Sequence, residues 1–348
     1  MIRALGSIRL ALVGMLLLAI GAALSYDNPV ATPVWVLVAP LAFLAVNLLA
    51  AIATNPRINR RGGLLVFHLG LLAIIVLAGI GRLTHLDAQL EITEGAAFSP
   101  SDLTHLAKGP WHSGALEQLA FVQGSFTVDY SPGMVRGLTH STVLLPDDRQ
   151  GWQTKVVGDD RPLILEGYRF YTTFNKGFAP VLTWTPDGGG EALSGTIHMP
   201  SYPLFEYKQD SSWTPPDEKG GGKEIKFWLR LKTGLREDAA WVLDGKTATG
   251  VLVVNVDERR VELEPGQSVR VPGGNLRYER LTTWMGYKVF YDPTLHWLFG
   301  AAMMAVLGLG THFWRKSGAS LQIAPARVKD APEVPRASSP DTAAGRSV

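Results

Sequence analysis

The stretch "LLVFHLGLLAIIVLAGIGRL", residues 64 to 83, decides the fold, because it is apolar over about the length that crosses a lipid bilayer. Arg82 stands at its end, and His68 is the other ionisable side chain within it. An ionisable group inside hydrocarbon costs on the order of 3 kcal/mol, so it usually faces a partner or a cavity. The stretch therefore predicts a membrane-spanning helix whose imidazole has a partner.

Three further segments are apolar enough to span a bilayer. The four candidate spans are about residues 10–26, 34–53, 63–81 and 294–313. An alternative for the first is a cleaved signal peptide, because a basic start precedes it and the small residues Ala23 and Ser25 stand near its end. The topology from the second span onward is the same in both cases.

Charge is divided by region along the 348-residue chain. Residues 84–292 carry 21 basic and 27 acidic side chains, a net charge of −6, whereas the remainder carries 12 basic and 4 acidic ones, a net charge of +8. Basic residues flank the spans at Arg3 and Arg9, between the second and third spans, and at Arg315 and Lys316. The positive-inside rule therefore predicts that both termini are cytoplasmic and that residues 84–292 lie outside. An acidic outer segment would also repel nucleic acid.

The outer segment is predicted to be mainly β-structure, because short stretches rich in aromatic and β-branched residues alternate with Gly, Pro and Asp clusters. These stretches are "GSFTVDYS", "GYRFYTTF", "PVLTWTP", "EIKFWLRLKT", "TGVLVVNVDE" and "NLRYERLTTWMGYKVFYD". A helix is expected at about residues 101–119. The absence of cysteine excludes disulfides and thiol chemistry.

The expected fold class is an α+β membrane protein, with four transmembrane helices and a large β-rich extracytoplasmic domain between helices three and four. The domain would be an antiparallel sandwich or an open barrel. The predicted division is 1–83 for three helices, 84–292 for the outer domain, 293–316 for the fourth helix and 317–348 for a disordered cytoplasmic tail rich in Ala, Pro and Ser.

The outer segment offers no catalytic motif. "DGKT" at 244–247 lacks the earlier glycine of a phosphate-binding loop, because Ala240 stands there. Four histidines, His105, His112, His140 and His198, are scattered without the spacing of metal ligands.

The role of His68 stays open from spacing alone. It would either bond to a neighbouring helix or serve as an axial ligand for haem iron in a dry site. His312, near the inner end of the fourth span, lies at a similar depth, so a pair formed with His68 within one chain is the weaker of two ligation hypotheses. His296 lies near the outer headgroup level beside Trp297, where an interfacial position explains it.

Three longer stretches carry a resemblance to a known family. They are "FHLGLLAIIVLAGIGRLTHLDAQLEITEG", "LEGYRFYTTF" and "GYKVFYDPTLHWLFGAAMMAVLGLG". Together they resemble the ResB (ResB/CcsB-like) family of system II cytochrome c biogenesis proteins over about residues 60–315. The shared features are a Phe-His pair in the third span, an "EG" soon after it and the Asp292-Pro293 step before the last span.

The resemblance implies a subunit of a system II cytochrome c synthase in the bacterial cytoplasmic (inner) membrane. Such a subunit acts with a CcsA-type partner to carry haem b across the membrane and attach it to apocytochrome c. The family's membrane histidine matches His68, and the partner supplies the opposing axial ligand. Arg57, Arg60 and Arg61 are candidate contacts for the haem propionates.

The tryptophan-rich haem motif of CcsA has no match in this sequence. The chain is therefore expected to be non-catalytic alone and to form part of a cytochrome c haem lyase complex. Its expected partners are the CcsA-type protein, apocytochrome c and membrane lipid, but no nucleic acid. The alternative is a structural membrane scaffold or chaperone that docks extracytoplasmic proteins without binding haem.

Overall fold

A computed structural model describes residues 2–147, 151–216, 223–232, 234–256 and 259–320 of the chain. Among the helices of these residues, four are long and apolar enough to cross a membrane, so the chain is a multi-pass membrane protein. The helices are α1 Ile2–Leu5, α2 Ile8–Asp27, α3 Trp35–Thr54, α4 Pro56–Asn59, α5 Gly62–Thr84 and α6 Leu295–Ser320. Helix α6 thus extends four residues into the predicted tail, and the rest of that tail, 321–348, lies outside the described residues.

Helices α2 and α3 form an antiparallel pair joined by a short loop. Ser7 caps α2, because its hydroxyl accepts a hydrogen bond from the Leu10 amide at 3.3 Å. The buried Asn47 of α3 donates from its side-chain amide to the carbonyls of Leu5 and Ser7, so this polar group within a membrane helix is satisfied. These bonds fix the start of the chain against α3.

Helices α5 and α6 pack closely and run antiparallel, because small residues stand where their backbones meet. A Cβ atom at Gly63 would lie 2.8 Å from the His312 amide nitrogen, and one at Gly70 would lie 2.7 Å from the Ala305 amide nitrogen. Such contacts between small residues replace the hydrophobic effect as the reason why helices associate in lipid. They fix the register of α5 against α6.

The domain between α5 and α6 consists of β-strands and short 3₁₀ turns. The strands are β1 Leu86–Thr93, β2 Leu103–Lys108, β3 Val122–Ser131, β4 Val135–Asp147, β5 Gly151–Gly158, β6 Leu163–Leu165, β7 Tyr168–Pro186, β8 Leu193–Thr196, β9 Asp210–Trp213, β10 Ile225–Leu231, β11 Trp241–Asp244, β12 Gly250–Val256, β13 Arg259–Leu263, β14 Ser268–Val271 and β15 Gly274–Tyr291. Two stretches predicted as separate strands, "GYRFYTTF" and "PVLTWTP", are both parts of the long strand β7.

Within the described residues, three antiparallel sheets surround one hydrophobic core. The largest has the order β2-β1-β15-β7-β6, with β14 paired to β15 and β8 paired to β7. The other two have the orders β13-β12-β10-β9 and β11-β3-β4-β5. Aromatic residues such as Phe126, Phe170 and Phe227 are buried in the shared core. The α+β fold class predicted from the sequence is confirmed.

The helix expected at about residues 101–119 is wrong. This stretch contains a 3₁₀ turn at Pro100–Asp102, strand β2 and a second 3₁₀ turn at Ala115–Gln118. The exposed edge of β1 pairs with β2 from Leu86↔Lys108 to Leu90↔Leu103, and this pairing outweighs the local helical preference. Gly114, which has a positive φ of 71°, precedes the second turn and prevents a continuous helix.

The largest sheet continues directly into the membrane helices. Helix α5 ends at Thr84, with one residue between it and the start of β1 at Leu86. Strand β15 ends at Tyr291, with three residues between it and the start of α6 at Leu295. Strands β1 and β15 pair from Leu86↔Tyr291, so the antiparallel helix pair becomes an antiparallel strand pair. The domain is therefore joined to the membrane through two neighbouring strands of its main sheet.

Candidate functional site

His68 lies in the second turn of α5 and is half-buried. Its Nδ1 atom is 2.7 Å from the carbonyl oxygen of Leu64, one turn earlier in the helix. Because a carbonyl oxygen accepts only, Nδ1 must carry the proton and donate it. The Nε2 atom then carries the lone pair, which is the tautomer that binds a metal through Nε2.

His68 is on the flank of α5 that faces α3. Eleven residues separate it from Gly79, which at 3.6 residues per turn brings the two within about 20° of each other around the helix. A Cβ atom at Gly79 would be 4.0 Å from the Cβ atom of Leu41 in α3. The ring of Phe67 meets the imidazole edge-on, with centroids 5.1 Å apart. His68 thus contacts an aromatic ring on its own helix, and the structure describes no hydrogen-bond partner for its Nε2 atom.

His312 and two of the candidate arginines lie together on the α6 side of α5. A cavity of about 440 Å³ is lined by Arg60, Arg61, His312, Arg315 and Lys316, together with Gly62 and Gly63. His68 and Arg57 are not among its lining residues. The structure therefore brings Arg60 and Arg61 close to His312, and it does not bring His68 and His312 into this cavity together.

The end of α5 that adjoins β1, called its outer end below, is closed by the loop that follows β2, and the opposite end of the helix is called its inner end. The amides of Gly109 and Trp111 donate to the carbonyls of His85 and Leu83 at 2.9 and 2.8 Å. The Nδ1 atom of His112 donates to the carbonyl of Thr84 at 3.0 Å. These bonds satisfy carbonyls at the helix end that would otherwise lack a partner.

His112 is fully bonded and thus has a structural role. Besides its bond to Thr84, its Nε2 atom accepts a hydrogen bond from the hydroxyl of the buried Tyr168 at 2.7 Å. The ring also meets Tyr291 edge-on, with centroids 5.1 Å apart. It links helix α5 to strands β7 and β15.

Sequence reasoning overlooked His85, which lies directly after α5 and is buried. Its Nδ1 atom donates to the carbonyl of Arg82 at 2.9 Å. Burial, followed by the nearby charge of Arg82, lowers the pKa of His85 below its usual value of 6.5. Its place at the junction of a predicted span and a predicted strand was the available signal.

The other outer histidines do not gather into a metal site. The Nε2 atom of His198 is 2.7 Å from the Thr93 hydroxyl, and its ring stacks on Trp284. His140 is 3.7 Å from a carboxylate oxygen of Asp129. Across the described ranges, no group of three or more His, Asp or Glu residues could hold a metal ion.

Comparisons with known proteins agree with the resemblance seen in the sequence. The model of the "ResB-like family" matches residues 51–318. No curated protein matches the sequence. A solved structure of "Cytochrome c Heme Lyase CcmF" is similar over 88% of this chain with 11% identity and a TM-score of 0.27.

The likeness to CcmF is too weak to assign a fold or a function, because its TM-score is low. The chain also covers 35% of that protein's length. The family match is different, since it extends over most of the chain, including α5, the β-rich domain and α6. The chain therefore belongs to the ResB-like family, and this membership supports a role in cytochrome c biogenesis.

Proposed function

We propose that this chain is the haem-handling subunit of a system II cytochrome c synthase. It would act with a CcsA-type membrane partner to move haem b across the bacterial cytoplasmic membrane and attach it to apocytochrome c. The observation that carries this proposal is His68, an imidazole in an apolar helix whose Nδ1 is held by a carbonyl and whose Nε2 is left for a ligand. The chain alone would not be catalytic.

His68 is the proposed axial ligand to haem iron. The bond to Leu64 orients the ring and keeps the neutral tautomer, and both effects favour iron binding through Nε2. The half-buried position leaves one side of the ring open to a partner helix. The histidine that completes the coordination would come from the CcsA-type partner. The alternative within this chain, His312, is disfavoured because it lines a cavity that His68 does not line.

The propionates of haem need cationic partners at the same end of the membrane. Arg57, Arg60 and Arg61 all lie within the short segment between α3 and α5. Arg60 and Arg61 line the cavity with His312, which favours a role in the His312 alternative. Arg57 is exposed and lies outside that lining, so it remains a candidate partner for haem held at His68.

The proposed orientation follows from charge. The inner ends of the spans carry the basic residues and the β-rich domain is acidic, so both termini would be cytoplasmic and the domain extracytoplasmic. The proposed division is three helices in 1–83, the outer domain in 84–292, the fourth helix in 293–316 and a tail in 317–348. His68 would then lie near the cytoplasmic side, where haem enters.

The test is His68→Ala in the full chain purified together with its membrane partner. Haem per complex, measured as the pyridine haemochrome, should fall about tenfold or more, and cytochrome c maturation should stop. Added imidazole fits the vacated space and should restore part of the haem spectrum. The matched control is His296→Ala, which removes an exposed histidine from the other end of the membrane.

Two results separate the proposal from its rival. Loss of haem with an unchanged far-UV circular dichroism spectrum of the complex would support ligation, because the outer domain would still be folded. Unchanged haem content and spectrum in His68→Ala would overturn ligation by His68. If the wild-type complex also carries no haem, the alternative is favoured, in which the chain is a scaffold that docks extracytoplasmic proteins.

A further inference from the structure

A cluster of cationic side chains lies at the inner end of α5 and α6. The cations Arg60 and Arg61 come from the α4–α5 junction, and the last turns of α6 contribute the cations Arg315 and Lys316 together with His312. The spacing of the last three places them on one face of the helix. The close approach of Gly63 to the backbone of His312 brings the two groups to one cavity of about 440 Å³.

Among the described residues, no carboxylate balances this charge. Within the part of the chain that the structure describes, no Asp or Glu oxygen lies within 4.0 Å of a charged nitrogen of Arg60, Arg61, Arg315 or Lys316. Like charges held near one another repel, and the repulsion is weakly screened beside a membrane. Binding of an anion would relieve it.

An apolar groove continues from the cationic cavity along the helix pair. It has a volume of about 670 Å³ and shares Gly62, Gly63 and Arg315 with the cavity. Its walls include Val66, Val306, Leu307 and Trp314. Val306 and Leu307 are 65% and 61% exposed, so the groove is open along its side and suits a flexible hydrocarbon chain.

We propose that this composite site binds one anionic glycerophospholipid. The phosphate would lie among Arg60, Arg61, Arg315 and Lys316, and one acyl chain would lie in the groove between α5 and α6. Headgroup phosphates are at the depth of the cavity when α5 and α6 span the membrane, and each basic residue near such a surface adds to the attraction. The site requires no haem, since His68 is outside both linings.

The first arm of the test concerns the phosphate. The full-length protein is purified in detergent, supplied with phosphatidylglycerol or phosphatidylcholine, and examined by native mass spectrometry. One phosphatidylglycerol should be retained in preference to phosphatidylcholine. Combined Arg315→Gln and Lys316→Gln should weaken retention about tenfold or more, because two of the contacts are lost.

The charge-matched control is combined Arg3→Gln and Arg9→Gln. These residues are also exposed cations beside a membrane helix, but they do not line the cavity. Retention should stay unchanged. Equal weakening in both double variants would mean general charge attraction, and equal retention of the two lipids by the wild type would mean that the headgroup charge is not recognised. Either result would overturn the proposal.

The second arm concerns the acyl chain. Gly310 lines the groove, and a Cβ atom there would have no atom within 4 Å, so the side chain in Gly310→Leu starts in open space and should occupy part of the groove. Gly300→Leu is the control, because Gly300 has the same open surroundings in α6 but does not line the groove. Gly310→Leu should reduce lipid retention, whereas Gly300→Leu should not.

Two competing ligands distinguish other occupants. Inorganic phosphate that binds with the same dependence on Arg315 and Lys316, while no lipid is retained, would overturn the lipid assignment in favour of a free anion. Haemin that displaces the lipid stoichiometrically would overturn it in favour of haem in the groove. His68→Ala should leave lipid retention unchanged, so failure of the haem proposal and failure of this one give different results.

Discussion

The two ends of α5 are built in opposite ways although each has a histidine. His68 and His85 both donate from Nδ1 to a carbonyl of their own helix, at 2.7 and 2.9 Å. At the outer end the imidazole is buried beneath the loop that follows β2. At the inner end the imidazole is half-buried. The same local hydrogen bond therefore accompanies a buried ring at the junction of α5 with β1, called the outer joint below, and an accessible ring at the other end.

The difference lies in what covers the helix end. Backbone amides from Gly109 and Trp111 and the His112 side chain close the outer end, and α5 passes directly into a central strand of the main sheet. The inner end has a cationic cavity and an apolar groove beside it. Rigidity at the outer joint would hold the inner site in a fixed relation to the domain.

The largest effect is expected at the outer joint from Gly109→Ala. A Cβ atom at this position would overlap the carbonyl group of Leu83, which is backbone and cannot rotate away. Such overpacking costs about 3 kcal/mol, which for a domain the size of residues 84–292 lowers the Tm by roughly 6–12 °C. Differential scanning fluorimetry of the full-length protein measures it.

The control for Gly109→Ala is Gly195→Ala, where a Cβ atom would have no atom within 4 Å. That variant should keep the wild-type Tm within a degree or two. An unchanged Tm in Gly109→Ala would contradict the tight joint, and the comparison between the two ends of α5 would lose its basis.

A smaller effect is expected from His112→Leu at the same joint. The change removes a donor to the Thr84 carbonyl and an acceptor for the buried Tyr168 hydroxyl, which should cost about 1–3 kcal/mol. The matched change at the inner end is His68→Leu. It removes only the hydrogen bond from Nδ1 to the Leu64 carbonyl, which belongs to the same helix. It should cost less than about 0.5 kcal/mol.

Chemical unfolding of the two variants beside the wild type measures this pair of changes. A double variant, His112→Leu with Tyr168→Phe, should lose less than the sum of the single changes, because both remove the same hydrogen bond. Equal losses for His112→Leu and His68→Leu would mean that the two ends of α5 do not differ in the way described.

Hydropathy and charge were enough to predict the four helices, the β-rich domain and the position of His68 within a span. These features depend on neighbouring residues along the chain. The cluster of Arg60 and Arg61 with Arg315 and Lys316 was not predictable in the same way, because it depends on the register of α5 against α6. In the structure, contacts at Gly63 and other small residues set that register. The sequence alone does not reveal it, because small residues would allow many registers.

The loop that closes the end of α5 was not predictable for a related reason. Residues 101–119 were expected to be helical, whereas the pairing of β2 with β1 makes part of this stretch a strand. That strand places Gly109 and His112 over the end of α5. The burial of His85 depends on this arrangement, so the local sequence shows that His85 lies between a span and a strand but does not show that it is buried.

The smallest expected effect is an acid sensitivity of the outer joint that comes from His85. Burial first, and the charge of Arg82 second, lower the folded-state pKa of His85 below 6.5, against the opposing influence of its bond to the Arg82 carbonyl and of Asp87 and Asp292. The folded state then binds fewer protons than the unfolded chain. Its stability is therefore fully present above pH 6.5 and declines as the pH falls through 6.5 towards the lower, folded-state pKa.

The variant that tests this is His85→Asn, because an amide nitrogen can replace Nδ1 as the donor to Arg82 and does not titrate in this range. The Tm of the full-length wild type should fall between pH 7 and pH 5 by more than that of His85→Asn, and the two proteins should differ least near pH 7. Other titrating groups contribute equally to both proteins, so the difference between the curves isolates His85. Parallel curves would mean that His85 reaches solvent in the folded protein, and that the outer end of α5 is as open as the inner one.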